Sequence, residues 1–371
     1  MQRADERIIW LLLGRRAGDN AQVLALGEML RRRLAVRGAR ARVEEKRLEW
    51  TPVRALPNWL LPPTLRVLPS PARAQFAPPW PDVVIGVGRR AVPVARWIQR
   101  RNRATKLVWL GRPRAPLKWF DLVLSTAQYG LPRADNVILL DAPPAPLPEM
   151  DPAALARWRE RFAHLPRPWI AVLVGGARWP LKFDAADAKA LGRAVLALRD
   201  RTGGSWIVST SPRTGIRQAR ALHEALDPPG MFWFWREGSR RENPHRALLA
   251  LADGFIVTAD SASMIAEALN TGKSVWLHEL PVQRPFVRWR ARGGLMRRLA
   301  EWGLLSPPRD MGAFCARLVQ QGRARWLREE VAAPAAPPGG ALGEAPGGAD
   351  VAWRNAGFEE ALKRIESWLI P

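Results

Sequence analysis

The sequence predicts an α/β protein built from two doubly wound, mostly parallel β-sheets. Three observations support this prediction. The chain has 371 residues, more than one hydrophobic core usually serves. Predicted strands alternate with amphipathic helices along most of its length, a pattern typical of parallel sheets covered on both faces. A proline-rich link at residues 142–152 separates two such alternations. We therefore expect two domains, at residues 1–148 and 149–330.

The first domain opens with a predicted strand over residues 8–13, a polar loop over 14–20 and a helix over 21–36. Its other elements are predicted from short apolar runs and one further amphipathic stretch. These are strands at residues 40–47, 82–87, 106–110, 122–125 and 136–139, and a helix at 91–101.

A segment dense in Pro, Trp, Leu and Arg interrupts this domain at residues 51–81. Tryptophan and arginine together suit a lipid headgroup interface. One hypothesis is therefore that this segment docks the protein on an anionic membrane face, which substitution of Trp59, Leu60 and Leu61 would test. The alternative is a proline-rich loop whose tryptophans pack on their own domain.

The second domain repeats the alternation and begins with a glycine-led loop, residues 175–182, after its first strand. Strands are predicted at residues 169–174, 206–210, 231–235, 254–258 and 274–280, and helices at 184–201, 215–226, 244–252 and 264–269. Near the end of the chain, residues 331–351 are mostly Ala, Pro and Gly and are predicted to be a disordered insertion. An amphipathic helix is expected over residues 355–369.

Residues 253–282, DGFIVTADSASMIAEALNTGKSVWLHELPV, read as strand, polar turn, helix and strand. The turn places Ser261 and Ser263 at the helix start, where free backbone N–H groups and the helix dipole attract a phosphate. Glu267 follows one turn later, where its carboxylate can accept the hydroxyls of a ribose. The alternative is that a serine only caps the helix and Glu267 is solvated.

Further polar groups follow the neighbouring strands. Gly175 and Gly176 lack side chains, so their amides can approach a ligand oxygen, although a simple turn explains them as well. A hydroxyl-rich strand end with one guanidinium suits a diphosphate, and its members are Ser209, Thr210, Ser211, Arg213 and Thr214. Arg178 and Lys182 can neutralise a leaving diphosphate.

Neither a metal nor another cofactor is expected. The sequence has no Asp-x-Asp pair, and its four histidines lack metal-ligand spacing and are predicted to be structural. They are His164, His223, His245 and His278.

The formal net charge of +24 favours an anionic partner. Only seven of the 58 basic residues are lysines, which also fits a compositional bias toward arginine. A phosphorylated substrate and an anionic membrane stay open. Nucleic acid is disfavoured, because zinc-finger spacing, basic heptads and RNA-binding aromatic motifs are missing. The single cysteine, Cys315, and the short apolar run near the N-terminus indicate a cytoplasmic protein.

Two blocks carry a family resemblance: GRRAGDNAQ at residues 14–22, and NPHRALLALADGFIVTADSASMIAEALNTGKSV at residues 243–275. Together they resemble the mitochondrial-fission ELM family. The second block is similar in layout to GT-B glycosyltransferases, especially the lipid-linked N-acetylglucosaminyltransferase of peptidoglycan synthesis. The resemblance implies a GT-B-like fold, in which two Rossmann-like domains face across a cleft and the second binds a nucleotide-diphosphate sugar.

Carried over residue by residue, Gly175 and Gly176 match the glycine loop, Ser261 and Ser263 the phosphate turn, and Glu267 the ribose carboxylate. The histidine that the peptidoglycan enzyme has in its first loop has no counterpart here. Asp19 is the one ionisable acid in that loop and is our candidate general base. The residues expected to contact the nucleotide sugar are Gly14, Gly175, Gly176, Ser209, Ser211, Arg213, Asp260, Ser261, Ser263, Met264 and Glu267.

We therefore expect a metal-independent glycosyltransferase of cell-envelope glycan or glycolipid synthesis, peripheral on the inner face of the cytoplasmic membrane. Its partners would be a nucleotide sugar and a lipid-linked acceptor. Two alternatives stay open. One is a sugar-nucleotide epimerase on the same fold. The other is a non-catalytic adaptor that recruits a membrane-associated partner, because the plant relatives are associated with recruiting the fission machinery.

Overall fold

The computed structural model describes residues 6–51, 58, 61–145, 150–235, 243–283, 308–327 and 356–370. The chain divides into two compact units. The first comprises Met1–Pro146, Arg290–Asp310 and Arg354–Pro371, and the second comprises Leu147–Trp289 and Met311–Trp353.

The first unit contains a six-stranded parallel sheet with the strand order β2-β1-β3-β4-β5-β6. Its strands are β1 (Glu6–Leu13), β2 (Arg40–Arg47), β3 (Val83–Val87), β4 (Lys106–Leu110), β5 (Leu122–Thr126) and β6 (Val137–Leu140). Strands β3, β4 and β5 are apolar and almost wholly buried, as expected where both faces of a parallel sheet are covered. The helices that precede the second unit are α1 (Ala17–Val36), α2 (Ser70–Arg73) and α3 (Val92–Arg101).

Helix α1 begins at Ala17, four residues before its predicted start, so the polar loop is short. The Asn20 side chain explains the difference. It accepts a hydrogen bond from the Gly14 amide (2.8 Å) and donates one to the Gly14 carbonyl (2.8 Å), which closes the turn from inside the helix. Asp19 therefore lies in the first turn of α1 and not in a loop. The helix ends at Val36, and Gly38, just past its C-cap Arg37, has a φ of +76°, in the left-handed region that favours glycine.

The second unit contains another six-stranded parallel sheet, with the order β12-β11-β10-β7-β8-β9. Its strands are β7 (Trp169–Val174), β8 (Ser205–Thr210), β9 (Gly230–Trp233), β10 (Gly254–Thr258), β11 (Ser274–His278) and β12 (Arg325–Trp326). Its helices are α4 (Pro152–Phe162), α5 (Ala185–Thr202), α6 (Ile216–Glu224), α7 (His245–Leu251), α8 (Ala262–Asn270) and α9 (Met311–Gln320). The predicted fold class, two doubly wound α/β units, is confirmed.

Three elements of the second unit were not predicted: α4, α9 and β12. Helix α4 starts inside the supposed proline-rich link. The Asp151 side chain caps it by accepting from the Ala154 amide (3.1 Å), and Pro152 occupies its first turn, where its missing N–H removes no helical hydrogen bond. The sequence Asp151-Pro152 therefore marks the start of a helix and not the end of a linker.

The last helix, α10 (Ala356–Leu369), confirms the predicted closing helix and belongs to the first unit, where it packs on β6 and α1. Its Glu366 side chain is buried and pairs with Arg33 Nε (3.0 Å) and Arg37 Nε (2.6 Å) of α1. Arg33 Nη1 also lies 2.8 Å from Glu359 Oε2. The insertion predicted at residues 331–351 lies outside the described residues.

The described part of the segment at residues 51–81 packs on its own unit. Leu68 and Phe76 are buried, and the ring centroids of Phe76 and Trp80 lie 6.1 and 6.0 Å from that of Trp10. Leu61 is partly buried against the same core, whereas Trp59 and Leu60 lie outside the described residues. Packing on the domain, the alternative left open by the sequence, therefore holds for the described part. Across the described chain, the helices are too short or too polar to span a bilayer.

The Glu366 ion pairs give a test of the attachment of α10. Replacing Glu366 by alanine removes the buried carboxylate that pairs with two guanidiniums, so we expect the free energy of unfolding to fall by about 1–3 kcal/mol and the melting temperature to fall by several degrees. Glu360→Ala changes an exposed carboxylate on the same helix and should have little effect. Equal midpoints for the two variants in calorimetric melting would contradict this account.

Candidate functional site

The second unit has a topological switch point between β7 and β10. Read from β9, the strand order is β9-β8-β7-β10-β11-β12, so the sheet grows in opposite directions from its centre. Helices that follow the two central strands leave toward opposite faces, and a crevice opens at the carboxyl ends of the strands. Gly175 directly follows β7, and Asp260 lies two residues after β10.

Asp260 ties the elements at this switch point together. Its fully buried carboxylate accepts hydrogen bonds from the Thr258 hydroxyl (2.7 Å) and the Gly176 amide (3.1 Å). It also pairs with Arg213 Nη2 at 3.0 Å. Burial raises the pKa of the Asp260 carboxyl, while Arg213 and the two hydrogen bonds act in the opposite direction. One carboxylate thus joins the loops that follow β7, β8 and β10.

Gly175 and Gly176 are required by packing. A Cβ on Gly175 would overlap the Asp260 carboxylate, and one on Gly176 would overlap the Arg213 carbonyl. From the sequence, both amides could face a ligand oxygen or simply form a turn. Instead, the Gly175 amide donates to the Thr258 hydroxyl (2.8 Å) and the Gly176 amide to Asp260. The backbone approaches Asp260 closely, and both N–H groups are used inside the protein.

Most of the predicted hydroxyl cluster supports this turn. The hydroxyls of Ser211 and Thr214 donate to the Gly175 carbonyl at 2.9 and 2.6 Å. Thr210 accepts from the Trp235 amide at 2.7 Å. Arg213 differs because its side chain remains 36% exposed while it contacts Asp260.

Helix α8 begins at Ala262, two residues before its predicted start, with Ser261 as its N-cap. The Ser261 side chain makes no capping hydrogen bond. Ser263 and Met264 lie in the first turn, and both are partly exposed, as is Ser261. The start of α8 is therefore partly open to solvent, and the positive end of a helix dipole at such a position favours anions.

Glu267 lies one turn further along α8. Its partner is a histidine that was predicted to be structural. His245 Nε2 lies 2.8 Å from Glu267 Oε2, and both side chains are about one quarter exposed. The His245 amide donates to Asn243 Oδ1 (2.9 Å), and the Ser209 hydroxyl lies 3.5 Å from the same oxygen. The Asn-Pro-His sequence before α7 is the local signal for this helix start, but the pairing with Glu267 spans 22 residues.

Several predicted residues lie elsewhere. Lys182 Nζ pairs with Asp184 (3.1 Å) and lies 4.0 Å from Asp187, at the start of α5. Gly14 and Asp19 belong to the first unit, where Asp19 Oδ2 is 4.0 Å from Arg16 Nη1. Within the described ranges, no group of three or more His, Cys, Asp and Glu residues is placed to hold a metal ion.

The fold and this site define a doubly wound α/β protein with a polar switch point in its second unit. The sequence matches the family described as mitochondrial fission ELM1 over residues 17–338, which is most of the chain. The chain therefore belongs to this family, and the resemblance found in the sequence is confirmed.

Two relatives show how far the likeness extends. The mitochondrial fission protein ELM1 of Arabidopsis thaliana is 30% identical over 233 residues, or 56% of this chain and 53% of that protein. The match thus spans about half the length of the Arabidopsis protein. An uncharacterised protein of Rickettsia prowazekii, RP120, is 21% identical over 309 residues, or 74% of this chain and 83% of its own. Among solved structures, Medicago truncatula UGT71G1 complexed with UDP-glucose is similar at 10% identity and a TM-score of 0.47, covering 87% of this chain and 85% of that chain.

Asp260→Asn tests the buried carboxylate. The amide keeps the size of the side chain but offers one acceptor oxygen, so we expect unfolding to become easier by about 1–3 kcal/mol. A carboxyl whose folded-state pKa is raised adds stability below its ordinary value of 3.8, and this contribution is lost as pH rises through the raised value. The advantage of wild type over the variant should therefore grow as pH falls from neutrality. A constant or shrinking difference in urea unfolding across that range would contradict the raised pKa.

Proposed function

We propose that the second unit binds a nucleotide-diphosphate sugar and that the protein is a metal-independent glycosyltransferase. One observation carries the proposal. At a switch point, a solvent-facing helix start is followed on the same helix by a glutamate that a histidine holds in place. These are the groups that a diphosphate and an adjoining ribose require, and they lie in that order along α8.

The diphosphate is proposed to lie over Ser261 and Ser263. The amides of the first turn of α8 would donate to its oxygens, and the dipole of the helix favours the negative charge. Arg213 is proposed to supply a cation to the diphosphate, because its side chain is partly exposed while it contacts Asp260.

The ribose is proposed to bind Glu267. His245 occupies one carboxylate oxygen at 2.8 Å, which orients the other oxygen and leaves it able to accept a hydroxyl. In this proposal His245 is a positioning residue, and its own orientation follows from Asn243 at the start of α7.

In the proposed reaction, an acceptor hydroxyl attacks the anomeric carbon of the sugar. The new C–O bond forms while the bond from that carbon to the diphosphate breaks. Asp19 takes the hydroxyl proton, and the leaving diphosphate carries the released electron pair. The start of α8 and Arg213 stabilise its charge in place of a metal ion.

Two other functions use the same features differently. A sugar-nucleotide epimerase would need the α8 site without a second substrate, and product analysis separates it from a transferase. An adaptor role is suggested by the name of the Arabidopsis relative, a mitochondrial fission protein. An adaptor would keep the fold and its partner but would bind no nucleotide sugar.

Action on a cell-envelope glycan or glycolipid at the inner membrane face is the finer part of the proposal. The net charge of +24 supports it, because a basic protein is attracted to an anionic leaflet. The support for a membrane location is this electrostatic attraction. Leu61 packs against the core, and Trp59 and Leu60 lie outside the described residues.

Truncation of the α8 residues tests the donor site. Ser261→Ala and Glu267→Ala should each weaken binding of a nucleotide diphosphate by about 1–3 kcal/mol, because each removes a hydrogen bond to a polar or charged group. Glu224→Ala removes an exposed glutamate at the end of α6 and serves as the matched control. Isothermal calorimetry with UDP measures all four proteins. Identical affinities for wild type and the two site variants would refute the proposed site.

Asp19→Asn tests the general base. The amide cannot accept the acceptor proton, so turnover should fall by about two to four orders of magnitude while donor affinity stays at the wild-type level. Initial rates with saturating donor and an identified acceptor give the answer. Wild-type turnover in the variant would assign the base to another residue.

A further inference from the structure

The first unit has its own switch point, between β1 and β3 in the order β2-β1-β3-β4-β5-β6. A cavity of about 340 Å³ opens there, at the carboxyl ends of the strands. Gly14 follows β1, Gly88 follows β3 and Arg112 follows β4, and all three line the cavity. Its lining residues all belong to this unit.

The lining of this cavity is strongly basic. Asp19 is the one acid among the described residues that line it. Seven arginines also line the cavity, which we call the arginine pocket. They are Arg15, Arg16, Arg89, Arg90, Arg112, Arg114 and Arg309. This concentration of arginines in one concave site is a separate observation from the chain's formal net charge of +24.

The guanidiniums are close enough to repel one another. Burial lowers the pKa of Arg112 to about 10; Tyr129 opposes this shift, and the charges of Arg114 and Arg309 add to it. Burial, followed by the charges of Arg89, Arg309 and Arg16, also lowers the pKa of Arg114. An anion in the pocket would relieve this repulsion, because it places an opposite charge among like ones.

Two helix starts add to the positive potential. The N-cap residues of α1 and α3, Arg16 and Ala91, both line the pocket, and neither makes a side-chain capping hydrogen bond. The positive ends of two helix dipoles therefore point toward the same cavity as the seven guanidiniums.

Buried and strained groups hold the arginine pocket in shape. The Asn58 amide is buried and donates to the carbonyls of Arg89 (2.9 Å), Pro113 (3.2 Å) and Arg114 (3.3 Å). Arg114 has a φ of +53°, a left-handed conformation that is costly for a residue with a side chain and is found at ligand-binding sites. The guanidinium of Arg309 lies 5.0 Å from the centre of the Tyr129 ring.

We propose that the arginine pocket binds a diphosphate group and that this group is carried by the acceptor of the transfer reaction. Arginine forks bind phosphate oxygens in pairs, and a diphosphate offers enough oxygens and charge to engage several of them at once. The assignment to the acceptor rests on the proposed function, because Asp19, the proposed base, lines this pocket. The anion site itself does not depend on that function.

The test measures binding of inorganic pyrophosphate to the full chain by isothermal calorimetry. Wild type should bind it, with an affinity that falls as salt is added. Arg112→Gln should weaken binding by about tenfold or more. Should Arg112→Gln fail to fold, the double variant Arg15→Ala/Arg114→Ala carries the test, because both of its side chains are exposed. Arg103→Ala, an exposed arginine between α3 and β4, is the matched control and should bind like wild type.

Two further arms separate the outcomes. Binding of UDP-glucose by the arginine variants should match wild type. If these variants lose pyrophosphate binding but keep wild-type binding of UDP-glucose, the pyrophosphate site lies in the first unit. This assignment holds whether or not the donor site is correct. Flotation with phosphatidylcholine vesicles that contain a polyprenyl diphosphate identifies a lipid source of the group, whereas pyrophosphate binding without flotation identifies a soluble one. Absence of pyrophosphate binding at low salt, or an equal loss in Arg103→Ala, would overturn the proposal even if UDP-glucose binds.

Discussion

The site in the second unit depends on one buried carboxylate. Asp260 accepts from Thr258 and Gly176 and pairs with Arg213, so the loops after β7, β8 and β10 are fixed relative to each other. A buried charge without partners costs several kcal/mol, which makes this arrangement close to obligatory once Asp260 is in place. Because α8 starts two residues after Asp260, the orientation of its first turn follows from the same carboxylate.

The switch points of the two units differ in how many cationic side chains surround them. In the second unit, Arg213 is paired with Asp260, and the remaining attraction for an anion comes from the start of α8. In the first unit, the arginine pocket concentrates seven guanidiniums around one aspartate. The first arrangement suits the diphosphate of a nucleotide sugar whose ribose contacts Glu267, and the second offers more cationic groups to the diphosphate proposed for the acceptor. This contrast supports different ligands for the two units.

Periodicity was sufficient to predict every strand except β12, most helices and the position of the α8 half-site, because buried parallel strands and amphipathic helices leave local patterns. Helix boundaries were less predictable where a side chain acts across the turn, as Asn20 does for Gly14. The pairing of His245 with Glu267 leaves no local signal, since strand β10 lies between them in the sequence. The arginine pocket was hidden for another reason: arginine is so abundant that only the fold shows which side chains converge.

The central claim is that a nucleotide-diphosphate sugar lies at the start of α8 with its ribose on Glu267. A crystal structure of the protein with UDP-glucose tests it most directly. We predict diphosphate oxygens within hydrogen-bonding distance of the amides of Ser263 and Met264, and ribose hydroxyls within that distance of the Glu267 carboxylate. A nucleotide bound elsewhere, or one bound at the switch point with Glu267 contacting only His245, would contradict the claim.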